Sequence, residues 1–242
     1  MAMFAPTMQI VPVLDLKGGV VVHARRGQRE RYAPLQSSLV DSCEPVAVAR
    51  ALCALCRTST LYVADLDALA GGPVDAVTLA AVAGVSEPWV DAGATTPERA
   101  AALARAGAAR NVLGTESLRV VPGAAGELSV SAPAPPRVLS VDLRDGTLVS
   151  PRPELAGREP AAAAPLASAL AVRELVVIDL ARVGSGSGPP LGAVEELAAA
   201  LPGVAIYAGG GVRDDEDLRA LRSAGAAGAL VATALHEGRV TP

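Results

Sequence analysis

Four aspartates in this chain of 242 residues close short apolar runs: Asp15 follows VPVL, Asp65 follows LYVA, Asp142 follows VLSV and Asp179 follows LVVI. A carboxyl group at the end of a strand, partly withdrawn from water, can take or give a proton once its neighbours set its pKa. The competing reading is structural, because an aspartate there also accepts from the backbone amides of the next turn. Two further segments suit an anion. Ala208-Gly209-Gly210-Gly211-Val212-Arg213 and Ala232-Thr233-Ala234 each follow an apolar run. Glycines let backbone amides close on phosphate oxygens, and the start of a short helix adds a favourable dipole. The implied chemistry is proton transfer on a phosphorylated small molecule.

The elements that must position these groups alternate. Apolar runs at 10–14, 60–64, 88–90, 111–113, 138–141, 174–178, 204–207 and 229–231 read as strands. Helical patterns follow at 44–57, 74–83, 97–106, 160–170, 192–201 and 214–224. The fourth helix is placed within 120–130 and the eighth after Thr233, and the Pro- and Ala-rich stretch 131–136 is read as the loop into the fifth strand. Eight such units in a chain near the ~250 residues of a minimal eight-fold barrel predict an α/β protein, a (β/α)8 barrel spanning 1–242 as one domain. Barrel chemistry sits at the carboxyl ends of the strands. All the candidate residues fall there.

An internal repeat supports this organisation. Gly93-Ala94-Thr95-Thr96-Pro97-Glu98, Arg105-Ala106-Gly107-Ala108 and Leu113-Gly114-Thr115 match Gly211-Val212-Arg213-Asp214-Asp215-Glu216, Ser223-Ala224-Gly225-Ala226 and Val231-Ala232-Thr233. The offset is 118 throughout, 225 minus 107 for example. The segment around Asp15 likewise echoes that around Asp142, and Val63-Ala64-Asp65-Leu66 echoes Val177-Ile178-Asp179-Leu180. Two fused half-barrels are expected, at about 8–130 and 137–237.

Composition narrows the partners. Hydrophobic residues make up 51% and aromatic residues 2%, so the core is built from Ala, Val and Leu. A net charge of -4 without a basic stripe argues against nucleic acid. Neither a signal segment nor an apolar run of about 18 residues is evident, so a cytoplasmic protein without a membrane partner is expected. Cys43, Cys53 and Cys56 are an odd set, two of them inside a helical pattern, and read as buried reduced thiols. With two histidines in the chain, no metal site is expected. The oligomeric state is not legible.

The run Ile10-Val11-Pro12-Val13-Leu14-Asp15-Leu16-Lys17-Gly18-Gly19, the Val-Asp-Leu-Arg-Asp-Gly around Asp142, the Gly209-Gly210-Gly211-Val212 turn with Glu216-Asp217-Leu218, and the closing Ala234-Leu235-His236-Glu237-Gly238 resemble the histidine-biosynthesis barrels. The likeness covers nearly the whole chain and is nearest to the ProFAR isomerase family, with the imidazole glycerol phosphate synthase cyclase as a sister. The resemblance implies an Amadori-type aldose-to-ketose isomerisation without metal or organic cofactor. It assigns Asp15 as general base, Asp179 as its acid partner and Asp142 to the lining of the site. Phosphate would be held at Gly209, Gly210, Gly211, Ala232 and Thr233, with Gly114 and Thr115 retained from a second half-site.

Departures from the family pattern are concentrated in that second half-site. The turn after the third strand reads Asp91-Ala92-Gly93-Ala94-Thr95, so a carboxylate stands where a second phosphate would approach. His23 replaces an arginine of the first loop, and Ser150-Pro151-Arg152-Pro153 replaces a tryptophan-bearing loop. These departures predict a diverged paralogue acting on a smaller, singly phosphorylated metabolite, and its resemblance to diverged relatives of this barrel implies cofactor synthesis in one-carbon metabolism as its setting. The alternatives are the ProFAR isomerase reaction itself and a non-catalytic phosphate-binding or scaffold subunit. Lys17, the sole lysine, lies on the same side of an extended segment as Asp15, and His23 and Arg182 are further candidates at the rim. The loop 25–31 is read as a lid over an anionic substrate.

Overall fold

The computed structural model describes residues 8–118 and 135–242. Eight parallel strands form the frame: β1 (Gln9–Lys17), β2 (Thr60–Asp65), β3 (Glu87–Asp91), β4 (Arg110–Gly114), β5 (Arg137–Arg144), β6 (Glu174–Asp179), β7 (Ala205–Gly209) and β8 (Gly228–Val231). Each pairs with the next, and β8 pairs back onto β1 with Gln9 opposite Gly228, closing a (β/α)8 barrel. Closure makes β1 the diametric opposite of β5, and β3 and β4 the opposites of β7 and β8.

Side chains alternate across each strand, so every second residue faces the axis. One residue from each strand meets in the interior: Val11, Tyr62, Trp89, Val112, Val138, Val176, Tyr207 and Leu230. Trp89 and Tyr207 touch edge to face across the axis, with ring centroids 5.0 Å apart. The other phase, including Leu61, Val90, Leu139, Leu175 and Ile206, packs outward under helices through Val48, Leu79, Leu103, Leu197 and Leu221. Both faces of the sheet are therefore covered, as parallel strands require.

The helices begin where caps allow. Glu44 accepts from the amides of Val46 and Ala47 ahead of Pro45–Cys56. Thr96 and Asp214 cap Pro97–Arg105 and Asp215–Ser223. These two helices start 118 residues apart (215 minus 97), as do β3 and β7 (205 minus 87), so the expected repeat appears as repeated geometry. The expected helix at 160–170 is a 3-10 turn, Pro160–Ala163, followed by Ala164–Ala169. The helix expected within 120–130 falls outside the described residues, as does most of the loop 131–136. Short strands Val20–His23 and Thr147–Leu148 fold back antiparallel on β1 and β5, in addition to the eight runs read as strands.

Two expectations need correction. The cysteines are only partly buried, packed against the core without being enclosed by it, and desolvation pushes the Cys56 thiol up to about 11. β1 is longer than 10–14, because the Gly18-Gly19 turn, at φ of 58° and 77°, returns it as a hairpin. Among the described residues no helix is long and apolar enough to cross a membrane.

Candidate functional site

The carboxyl ends of the strands surround a cavity of about 320 Å³. Strand parity decides which aspartates reach it. In β1, Val11, Val13 and Asp15 share the inner phase; in β3 it is Trp89 and Asp91; in β5, Val138, Ser140 and Asp142. Asp15, Asp91 and Asp142 all line the cavity, joined by Glu116 from the turn after β4. Asp15 and Asp142 face each other from opposite strands.

Asp65 and Asp179 have the other parity. Val176 and Ile178 take the inner phase of β6, so Asp179 turns aside, and its carboxylate accepts from the amides of Ala181 at 3.0 Å, Gly146 at 3.1 Å and Asp145 at 3.3 Å. Arg182 Nε stands 3.4 Å away. This carboxylate ties the β5 hairpin to the loop after β6 and does not line the cavity, contrary to its expected place as the partner of Asp15. Asp65 caps Leu66–Leu69 and holds the amide of Asp75 at 2.9 Å.

Asp142 is embedded in donors. Ser140 Oγ reaches Oδ1 at 2.7 Å and the Glu116 amide reaches Oδ2 at 3.0 Å, while Thr115 Oγ1 accepts from the Asp142 amide at 2.9 Å. A Cβ on Gly114 would stand 2.8 Å from Asp142 Oδ2. Gly114 and Thr115, expected at a phosphate, therefore form the seat of this carboxyl instead. Burial, followed by the charges of Glu116 and Asp91, raises the Asp142 pKa, so it carries a proton near neutrality. Burial also pushes Asp15 up to about 7 against the opposing pull of Arg29, and Asp91 up to about 7 with Glu116 adding to the rise. Tyr62 donates to Asp91 Oδ2 at 3.1 Å, whereas among the described residues no donor meets hydrogen-bond geometry at the buried Oδ1, although the Gly93 amide lies close enough to pull the Asp91 pKa down.

The opposite wall is the glycine turn. Gly209, Gly210, Gly211, Ala232 and Thr233 all line the cavity. Gly211 is fixed by two demands: its φ is 87°, and a Cβ would stand 2.5 Å from the carbonyl oxygen of Gly188. Among the described residues, the amides of Gly211, Val212, Thr233 and Ala234 donate to no protein acceptor.

The loop after Val20–His23 crosses the mouth. Lys17 Nζ donates to the Arg29 carbonyl at 2.6 Å, Arg26 donates its amide to Val183 O at 2.7 Å, and the Arg29 guanidinium pairs with Glu116. Lys17 thus holds the loop and stays out of the cavity lining. Arg182 spends its guanidinium on the Gly188 carbonyl at 3.0 Å. His23 sits in a small side pocket with His236, its Nε2 3.4 Å from Thr233 Oγ1. Arg29, Tyr62 and Glu116 were not singled out from the sequence. Tyr62 was legible, being on the inner phase of an otherwise aliphatic strand; Arg29 and Glu116 arrive through loops. Beyond them lies a second hollow of about 520 Å³, sharing Arg29 and Glu116 and lined by Gly71, Gly93, Thr95, Thr96 and Ser117. Among the described residues no cluster of His, Cys, Asp and Glu is arranged to hold a metal ion.

A family model described as histidine biosynthesis protein matches residues 9–241. A relative from Rubrobacter xylanophilus is 36% identical over 249 residues, covering 96% of this chain and 93% of its own length. One from Acidithiobacillus ferrooxidans is 32% identical over 239 residues, covering 96% and 95%. Both are named as the phosphoribosyl imidazole-4-carboxamide isomerase, ProFAR isomerase. An uncharacterized protein of Methanocaldococcus jannaschii is 26% identical over 233 residues, covering 96% and 94%. With a match across almost its entire length and relatives above 30% identity, the chain belongs to the histidine biosynthesis protein family.

Proposed function

We propose that the chain is an aldose–ketose isomerase of the ProFAR isomerase type, with Asp15 as base and Asp142, in place of Asp179, as acid. The observation that carries this reading is the diametric placement of these two carboxyl groups beside a glycine turn with unused amides. A phosphate at Gly209, Gly210, Gly211 and Thr233 anchors the sugar, and the reacting carbons then lie over the barrel axis between the two acids. Asp142, protonated near neutrality, gives its proton to the ring oxygen as the C1–O bond breaks and an imine forms at C1. Asp15 removes the C2 proton. The electron pair left behind makes the enolamine, and reprotonation at C1 with ketone formation at C2 completes the isomerisation. Both carboxyls have pKa values displaced toward working pH, which suits groups that must exchange protons in both directions.

The named relatives' substrate bears two phosphoribosyl groups. The hollow beyond Glu116 has room for a second phosphate near Thr95 and Thr96. Purified protein should therefore convert ProFAR in a direct spectroscopic assay, and the gene should restore growth of a histidine auxotroph lacking the isomerase. Absence of both would refute the substrate assignment.

A second reading keeps the chemistry and shortens the substrate to a singly phosphorylated metabolite, the diverged paralogue with its setting in cofactor synthesis. It is favoured by Asp91 and Glu116, two carboxyl groups on the path between the cavity and that hollow.

A further inference from the structure

We propose that His23 positions the substrate phosphate through Thr233, taking up a proton as the anion seats and so turning the Thr233 hydroxyl toward it. This rests on the phosphate reading of the turn 209–211 and holds for either substrate considered above. Thr233 stands between two spaces: it lines the main cavity with Gly211, and it also borders the small side pocket that holds His23 and His236. His23, which ends the short strand Val20–His23, brings its Nε2 to 3.4 Å from Thr233 Oγ1. A hydroxyl has one proton to give. When Nε2 is bare it takes that proton, and the phosphate faces a lone pair; when Nε2 carries hydrogen it donates to Oγ1, and the Thr233 proton is free for the anion. The neutral ring can answer either way, the protonated ring in only one. The Thr233 amide, which donates to no protein acceptor among the described residues, then acts beside its own hydroxyl.

The groups around His23 make its charge depend on the anion. Burial, and then Arg25 on the following loop, pull its pKa below the ordinary histidine value, against an opposite pull from Glu237. Glu237 shares its carboxylate with Arg239 Nε at 2.6 Å. Asp15 borders the same side pocket and, pushed up to about 7 by burial, carries little charge where His23 titrates. His236, 4% exposed and met at Nδ1 by Ser37 Oγ at 2.9 Å, is pushed down to about 4, by burial first and then by His23, and stays neutral. His23 is thus neutral near pH 7 in the free protein, and a doubly charged anion on the far side of Thr233 supplies what would hold a proton there.

The chain has two histidines, so NMR can follow their ring C–H signals one by one on the full protein. Sulfate is the probe, because unlike phosphate it keeps its charge between pH 5 and 8. Saturating sulfate should raise the His23 pKa by about one unit or more and leave His236 unmoved, with His23→Gln assigning the signals. By reciprocity, one unit means that the protonated protein binds sulfate about tenfold more tightly. Calorimetric sulfate affinity should climb as pH falls from 8 to 5, by at least about threefold more in the parent than in His23→Gln, since the aspartates that titrate there act on both alike. In Thr233→Val the sulfate-induced rise at His23 should shrink to less than about half. Should His23→Gln fail to fold, His236→Asn supplies the assignment, and the titrations of the parent and Thr233→Val decide. The inference is overturned if sulfate binds without moving His23, if parent and His23→Gln share one pH slope, or if the full rise survives in Thr233→Val. Absence of sulfate binding at every pH would instead refute the phosphate reading on which it stands.

Discussion

The turns after β3 and β7 hold the same place in the repeat, since 209 minus 91 is 118, yet one carries Asp91 and the other Gly209. Around Gly209 the walls close in, with Leu230 Cβ and Ile178 Cγ1 at 3.2 and 3.3 Å from where a Cβ would be. Around Asp91 the wall has opened to admit a carboxyl group and the Tyr62 hydroxyl. The turns after β4 and β8 diverge in the same sense: Thr233 lines the cavity, whereas its counterpart Thr115 is consumed by Asp142. Duplicated backbone thus supports opposite electrostatics. A side chain at one position per turn decides whether amides or carboxylates face the cavity.

The largest effect is expected on the diameter that crosses this comparison. Asp15→Asn or Asp142→Asn should lower turnover by roughly 10²- to 10⁴-fold, the usual worth of a positioned proton donor or acceptor. Phosphate binding should persist, and steady-state kinetics beside calorimetry will separate the two. Asp179→Asn, which alters a cap outside the cavity, should change turnover far less. Equal losses at Asp179 and Asp142 would show that the parity argument misplaces the acid.

Substituting the paired glycines tests the turns themselves. Gly211→Ala forces a positive φ and a contact at 2.5 Å, so it should cost about 1–3 kcal/mol of stability and weaken phosphate binding about tenfold or more. Its repeat counterpart Gly93 has nothing closer than 3.6 Å, so Gly93→Ala should do less on both measures. Thermal melting and phosphate titration would read the difference. Crystals grown in sulfate should likewise show an anion at the turn 209–211 and none beside Asp91. An anion at both places would erase the contrast.

The smallest effect is a matter of pH. Asp91, raised from 3.8 to about 7, keeps its proton in the folded state where the unfolded chain has lost it. That contribution to stability is fully present below pH 4 and disappears as pH rises through 7. Asp91→Asn has no proton to lose, so it should gain on the parent as pH climbs from 5 to 8, by a few kcal/mol at most, since each pKa unit is worth about 1.4 kcal/mol. Melting temperatures across that range would check the sign; a gain at acid pH would contradict it.

Much of this was written in the sequence. Eight apolar runs, the 118-residue repeat and the capped starts of the helices specify the barrel because the 2.0 and 3.6 periodicities and the caps agree. The glycine turn was legible for the same reason, since only glycine fits there. Asp179 misled because a strand-end aspartate looks alike on either phase, although counting back two residues to Val177 and two more to Leu175, both on the outer phase, would have shown its direction. The amides that capture it come from Asp145 and Gly146, more than thirty residues away, and no local pattern announces them. Arg29 and Glu116 meet only because a loop crosses the mouth. The Gly18-Gly19 hairpin, by contrast, carried an ordinary two-residue turn signal between apolar runs.

The cross-axis contact between Trp89 and Tyr207 has an optical consequence. Trp89 is the only tryptophan in the chain, and it sits one inward layer beneath Asp91 on the same strand. Its emission therefore reports on the barrel interior alone, with no second indole on the surface to mask it. Opening of the barrel would expose the indole and redden its light, whereas loosening of the outer helices would leave it dark to the change. Because the carboxyl wall is the next layer up, the same signal reaches the cavity floor, giving the molecule a built-in fluorophore for watching Asp91 exchange its proton.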